Sequence, residues 1–137
     1  MTIALSAALH QGILGALDTD PALGVILGAT GRVFDRAPDD YAPPYVTINE
    51  ASFKADDNST GFGGEHLFDI HAWSRSGSRG EAWSILDRCE RILRDPALTL
   101  EGSVRLIYCR RLSAFVTLDP DGETFHGVLT VRVLTEE

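Results

Sequence analysis

The stretch VRLIYCRRLSAFVTLDPDGETFHGVLTVRV, residues 104–133, decides the fold. Val104, Leu106, Tyr108, Leu112, Ala114, Val116 and Leu118 fall on alternate positions, the period of a strand with one buried face. Asp119-Pro120-Asp121-Gly122 follows, with proline at the second turn position and glycine at the fourth, where a tight turn favours them. Phe125, Leu129, Val131 and Val133 then resume the alternation. The stretch reads as one long β-hairpin.

Upstream, the period changes. Ala82, Ile85, Leu86, Cys89, Ile92 and Leu93 lie three or four apart within Arg79–Arg94, while Arg88, Glu90, Arg91 and Arg94 take the other side, so the segment reads as an amphipathic helix ended by Asp95-Pro96. Before it, Glu65–Ser74 carries Phe68, Ile70 and Ala72 on one strand face, and Tyr45–Glu50 carries Val46 and Ile48. Arg32–Asp35 is a short strand, and Ala37–Pro44, with three prolines, is a loop. The first helix is expected from about Ser6, or slightly earlier, to Leu17. A second is expected after Asp20-Pro21, with Asp as cap and Gly28 as stop. The sum is an α+β fold in one domain over residues 1–137: an antiparallel β-sheet with a long C-terminal hairpin, packed by two to three α-helices on one side.

The net charge is −8, unevenly spread: residues 1–70 hold ten acids against three bases, and residues 71–137 hold ten against nine. An acidic first half argues against duplex DNA as a direct partner, because phosphate contacts need clustered bases. No apolar run approaches the roughly 20 residues that cross a bilayer, and the start has no basic region ahead of a cleavage site, so neither a membrane span nor a signal peptide is expected. Cys89 and Cys109 are separated by nineteen residues in apolar stretches, without metal-ligand spacing, and are expected as buried free thiols.

Several chemical motifs are approached and missed. Gly24-Val25-Ile26-Leu27-Gly28-Ala29-Thr30-Gly31 suggests a dinucleotide fingerprint, but its helix comes before the glycines and its strand after them, the reverse of what that site needs. Asp56, Asn58 and Gly61 fit the first, third and sixth positions of a calcium loop, yet Leu67 stands where the bidentate glutamate belongs. His66 and His71 lie five apart on a strand, hence on opposite faces, and His10 and His126 read as isolated, so no metal is expected. No GxSxG is present, and Ser84, Ser103 and Ser113 lie in ordinary helix or strand contexts. No cofactor and no catalytic residue is expected.

Two features suit contact with a neighbour. Ala55–Gly64 is polar and glycine-rich around Phe62, so it is expected to be mobile in the free chain and to order against a partner through Asp56, Asp57 and Phe62. Arg110 and Arg111 interrupt the apolar alternation of the long strand. Either a bulge turns both to solvent, or they meet acids on another subunit.

The order of these segments resembles the tail-completion, or tail-terminator, proteins of tailed phages and gene transfer agents. The resemblance lies in Gly31-Arg32-Val33 with Asp35 and Pro38, then Pro44-Tyr45-Val46, Trp73-Ser74-Arg75, the helix with Ala82 and Ile85-Leu86, and Asp121-Gly122 in the closing hairpin, and it covers nearly the whole chain. It implies a non-enzymatic virion protein, assembled in the bacterial cytoplasm, that forms a ring, commonly a hexamer, at the head-proximal end of the tail. The partners implied are further copies of the chain, the tail tube protein and a head-tail connector or stopper. DNA would pass through the lumen without specific binding, and an acidic lining would discourage it from sticking. The competing reading is a small non-catalytic adaptor that binds its partner along the hairpin edge.

Overall fold

A computed structural model describes residues 4–55, 63–94 and 105–136. In chain order the elements are α1 (Ala4–Asp18), α2 (Pro21–Leu27), β1 (Val33–Phe34), β2 (Tyr45–Ala55), β3 (Gly63–Ser74), α3 (Gly80–Arg94), β4 (Arg105–Leu118) and β5 (Phe125–Glu136). The strands form one sheet in the order β1-β2-β3-β5-β4. All neighbours run antiparallel except β1, which lies parallel to β2. β1 is thus the one departure from the expected antiparallel sheet. The helical stretch between β1 and β4 is the single helix α3, so the order α-α-β-β-β-α-β-β places the C-terminal hairpin at one edge and β1 at the other.

The helices cover one face of the sheet. Leu9, Ile13 and Leu17 of α1, Leu23 and Leu27 of α2 and Ile85, Leu86, Cys89 and Leu93 of α3 meet Val46, Ile48, Phe68, Ile70, Leu129, Val131 and Val133 from the strands in one continuous core. Each fully buried aliphatic or phenyl side chain there contributes about 1.5–3 kcal/mol relative to its exposed state. Both cysteines are free and buried, and burial pushes the Cys89 thiol up to about 12 and the Cys109 thiol up to about 11, so neither is a nucleophile.

Local chemistry fixes the element ends. The Asp20 carboxylate accepts from the Leu23 amide at 2.9 Å and caps α2, Pro21 takes the first turn, and Gly28 closes the helix in the left-handed conformation at φ 89°. Arg88 of α3 donates through Nε and Nη2, each at 2.9 Å, to the two oxygens of the same Asp20. The cap of one helix is thereby tied to the side of another, and Arg88 holds the carboxyl below its usual range. In the Asp119–Gly122 turn, the Gly122 amide donates to the Asp119 carbonyl at 3.0 Å.

Register shifts shape three places in the strands. β2 runs on past Glu50 because a register shift between Glu50 and Ser52 interrupts the alternation without ending the ladder. A shift between Leu106 and Tyr108 brings Cys109, rather than Tyr108, to the buried side. A third lies between Arg111 and Ser113. On α3, Glu90 is buried instead of facing out, because it accepts a fork of hydrogen bonds from Arg94 one turn on.

Candidate assembly surfaces

The hairpin puts β4 at the edge of the sheet, so one side of a 14-residue strand pairs with no other strand among the described residues. The side chains along it are mixed. Leu112, Phe115 and Leu118 are about half exposed, and Trp83 of α3 stands exposed beside the same margin. Trp83, Leu86, Asp87, Glu90, Arg111 and Ala114 line an open groove of about 110 Å³ between α3 and β4. A second groove of about 230 Å³ continues it past Glu90, Leu93, Arg94, Cys109, Arg110 and Arg111.

Arg110 and Arg111 are both exposed, and the register shift beside them places the bulge at Leu112. The bulge expected from their position is therefore present. Arg110 stacks its guanidinium 4.5 Å above the Tyr108 ring and lies opposite Arg132, whose own charge is taken by Glu65 at 2.6 Å. Among the described residues, neither Arg110 nor Arg111 makes an ion pair. Asp56, Asp57 and Phe62, and with them the expected mobile loop, lie outside the described residues, as do Asn58 and Gly61 of the calcium-like run. Leu67 sits on β3, and the run joins two strands rather than two helices.

The opposite edge has a different character. Arg32 holds the loop after β1, donating through Nε to the Pro44 carbonyl at 2.8 Å, through Nη1 to the Tyr41 hydroxyl at 3.1 Å and through Nη2 to the Ala42 carbonyl. Tyr41 packs edge-on against Phe34 and Tyr45, with ring centroids 4.9 and 5.6 Å away. The fastened loop presents Asp35, Arg36, Asp39 and Asp40 to solvent, and Asp40 adopts a positive φ of 57°. His10 Nε2 approaches Asp35 Oδ1 to 3.2 Å, at an angle that leaves that ring nitrogen without a hydrogen bond.

The histidines are placed differently from the sequence reading. His66 and His71 do point to opposite faces, but His66 is wholly buried, with Nδ1 3.0 Å from Ser6 Oγ and Nε2 3.4 Å from Thr135 Oγ1. A serine–histidine pair without exposure has no route for a substrate; it links α1 to the far ends of β3 and β5. His126 is not isolated: its Nε2 is 2.7 Å from His71 Nδ1, and its ring stacks on Trp73 at a centroid distance of 3.9 Å. Cross-strand register makes this pair, since Trp73 lies opposite His126, and a separation of 55 residues hides it from any local pattern. Among the described residues, no group of three or more His, Cys, Asp or Glu side chains is placed to hold a metal ion. Nor is any described helix long and apolar enough to cross a membrane.

Comparison with known protein families matches residues 11–136 to "Tail completion protein gp17". The chain belongs to this family. A curated relative, tail completion protein gp17 of Bacillus phage SPP1, is 33% identical over 89 residues, which is 65% of this chain and 65% of that protein. The match thus spans about two thirds of the relative's length. The solved structure of bacteriophage SPP1 gp17 superposes with a TM-score of 0.65 at 28% identity, over 95% of this chain and 90% of that one. A chain in the virion of a native gene transfer agent particle superposes with a TM-score of 0.86, over 99% of this chain and 100% of that one. At 22% identity, this second likeness concerns the fold. Membership makes this chain a tail completion protein, a structural family.

Proposed function

We propose that copies of this chain close into a ring, a hexamer by the family resemblance, at the head-proximal end of the tail tube. There the ring ends the tube and carries the surface that joins the head connector. The observation that supports this is the family match over residues 11–136, and the open edge of β4 is the feature that a ring would use. A subunit of a closed ring needs two different side surfaces that meet head to tail. The two margins of this sheet differ in that way: one is a long strand with exposed arginines and apolar side chains, the other a two-residue strand beside an aspartate-bearing loop. The chain acts by assembly rather than catalysis, and DNA passes through its lumen without being read. Imaging of completed particles with this chain traced in the density tests the proposal. A closed ring between tail tube and head connector is the expected result, and absence of the chain from the particle overturns it.

A further inference from the structure

Resting on the ring reading, we propose that the contact between adjacent copies joins the β4 margin of one copy, centred on Arg110 and Arg111, to the Asp35–Tyr41 loop of the next. The occupant of the open strand edge is thus a second copy of this chain. Three observations carry the inference. The two patches lie at opposite ends of the strand order, β4 last and β1 first, so one copy cannot bring them together but a head-to-tail neighbour can. Their charges are complementary: Arg110 and Arg111 are exposed cations without an ion pair among the described residues, whereas the loop carries three aspartates against the single Arg36. The loop is also held in shape before any contact. Arg32 fastens it at Pro44, Tyr41 and Ala42, and Tyr41 is wedged between Phe34 and Tyr45, so little ordering entropy opposes docking.

The groove between α3 and β4 suits such a guest. The two arginines line it together with Ala114, Leu86 and Trp83. Arg36 and Asp39, 4.0 Å apart, are both almost fully exposed, and their weak mutual pairing leaves Asp39 available to a stronger partner. Arginine suits that role because its planar fork engages a carboxylate through two donors.

Charge exchange within one chain tests this, because each copy in a ring contributes both patches. The pair Arg110→Glu with Arg111→Glu, and separately Asp39→Arg with Asp40→Arg, are expected to lower the yield of completed particles about tenfold. The four changes combined restore complementary charge at each contact and are expected to return the yield to within about threefold of the original. Thermal melting of each free variant checks folding. Should a reversal melt early, the neutral pairs Arg110→Gln with Arg111→Gln and Asp39→Asn with Asp40→Asn read the same contact. Their combination is then expected to be no worse than either pair alone, and an additive loss overturns the proposal. Unchanged yield in both reversals, or no recovery in the combination, also overturns it. If wild-type particles still show the ring in those cases, the ring stands and uses other faces. If the chain is absent from wild-type particles, both proposals fall.

Discussion

At the scale of single residues, the fold keeps three of its histidines neutral. His66, His71 and His126 are all held below their ordinary value of 6.5, in each case chiefly by burial; for His71 the neighbouring His126 adds to the effect. Asp69 beside His71 and Asp119, 3.8 Å from His126, act in the opposite direction and do not prevail. The unfolded chain therefore takes up protons near pH 6.5 that the folded chain resists. Stability from these groups is complete above 6.5 and is lost as the pH falls through their lowered values. The carboxylates titrate lower: Asp20 lies below the ordinary 3.8, and Asp121, hydrogen-bonded by Thr124, is at about 2, so their contributions persist until stronger acid. The midpoint of thermal unfolding is accordingly expected to drop by about 5 °C between roughly pH 7.5 and 5. In a His71→Asn, His126→Asn variant the drop narrows and the part due to His66 remains. A midpoint that is flat with pH in the wild-type chain contradicts this account.

At the scale of elements, α3 crosses the hairpin closely at Gly127. Gly127 of β5 lies opposite Ala72 on one side and Val116 on the other. A Cβ there would stand 2.9 Å from Leu86 Cδ1 and 3.4 Å from Val116 Cγ2. Gly127→Ala also meets Leu86 Cγ at 3.3 Å, so the buried Leu86 side chain must shift as a whole, and the variant is expected to cost up to about 1 kcal/mol, its smaller loss of backbone freedom offsetting part of the crowding. Gly127→Val is more crowded still and is expected to cost about 1–3 kcal/mol, measured as a lower denaturant midpoint with an unchanged slope. Equal stability of the two variants means that α3 is free to ride outward. This crossing was invisible in the sequence, where Gly127 is one small residue in an apolar run. What was legible depended on local rules: the Asp20-Pro21 start and Gly28 stop of α2, the helical spacing of α3 and the Asp119–Gly122 turn all need only neighbours in the chain. The extension of β2 and the burial of Glu90 were not legible, because a bulge and a fork from Arg94 override the two simple periods. The His71–His126 pair depends on strand register and the Ser6–His66 link on the packing of α1 against β3, each across more than fifty residues, which no local pattern records.

At the scale of the whole molecule, exposed apolar side chains gather on and beside β4, whose outer side pairs with no other strand among the described residues. Leu112 is 54% exposed, Phe115 48% and Leu118 45%, all on β4, and Trp83 at 45% faces the same margin from α3. Scattered apolar residues need no explanation, but these lie along one open edge, Phe115 and Leu118 on opposite faces of the sheet, and an apolar open edge favours strand pairing or aggregation unless something covers it. The bulges near Ile107 and Leu112 and the two arginines act against indiscriminate pairing: bulges break the flat hydrogen-bonding row, and charge repels an identical edge. The same devices leave a complementary neighbour free to bind, so the edge can remain soluble in the free chain and still be covered in the assembled tail. Replacing the row by Leu112→Gln, Phe115→Thr and Leu118→Thr removes area that is already half in water, so the free chain is expected to lose no more than about 2 kcal/mol. Coverage by a neighbour is a different matter, because apolar side chains at the centre of a contact carry much of its energy. The amount of this chain recovered in purified particles is therefore expected to fall about tenfold, well beyond what the change in folding accounts for. Particles that retain a full complement of the triple variant show that the β4 margin stays in solvent after assembly, and that its apolar row serves the fold alone.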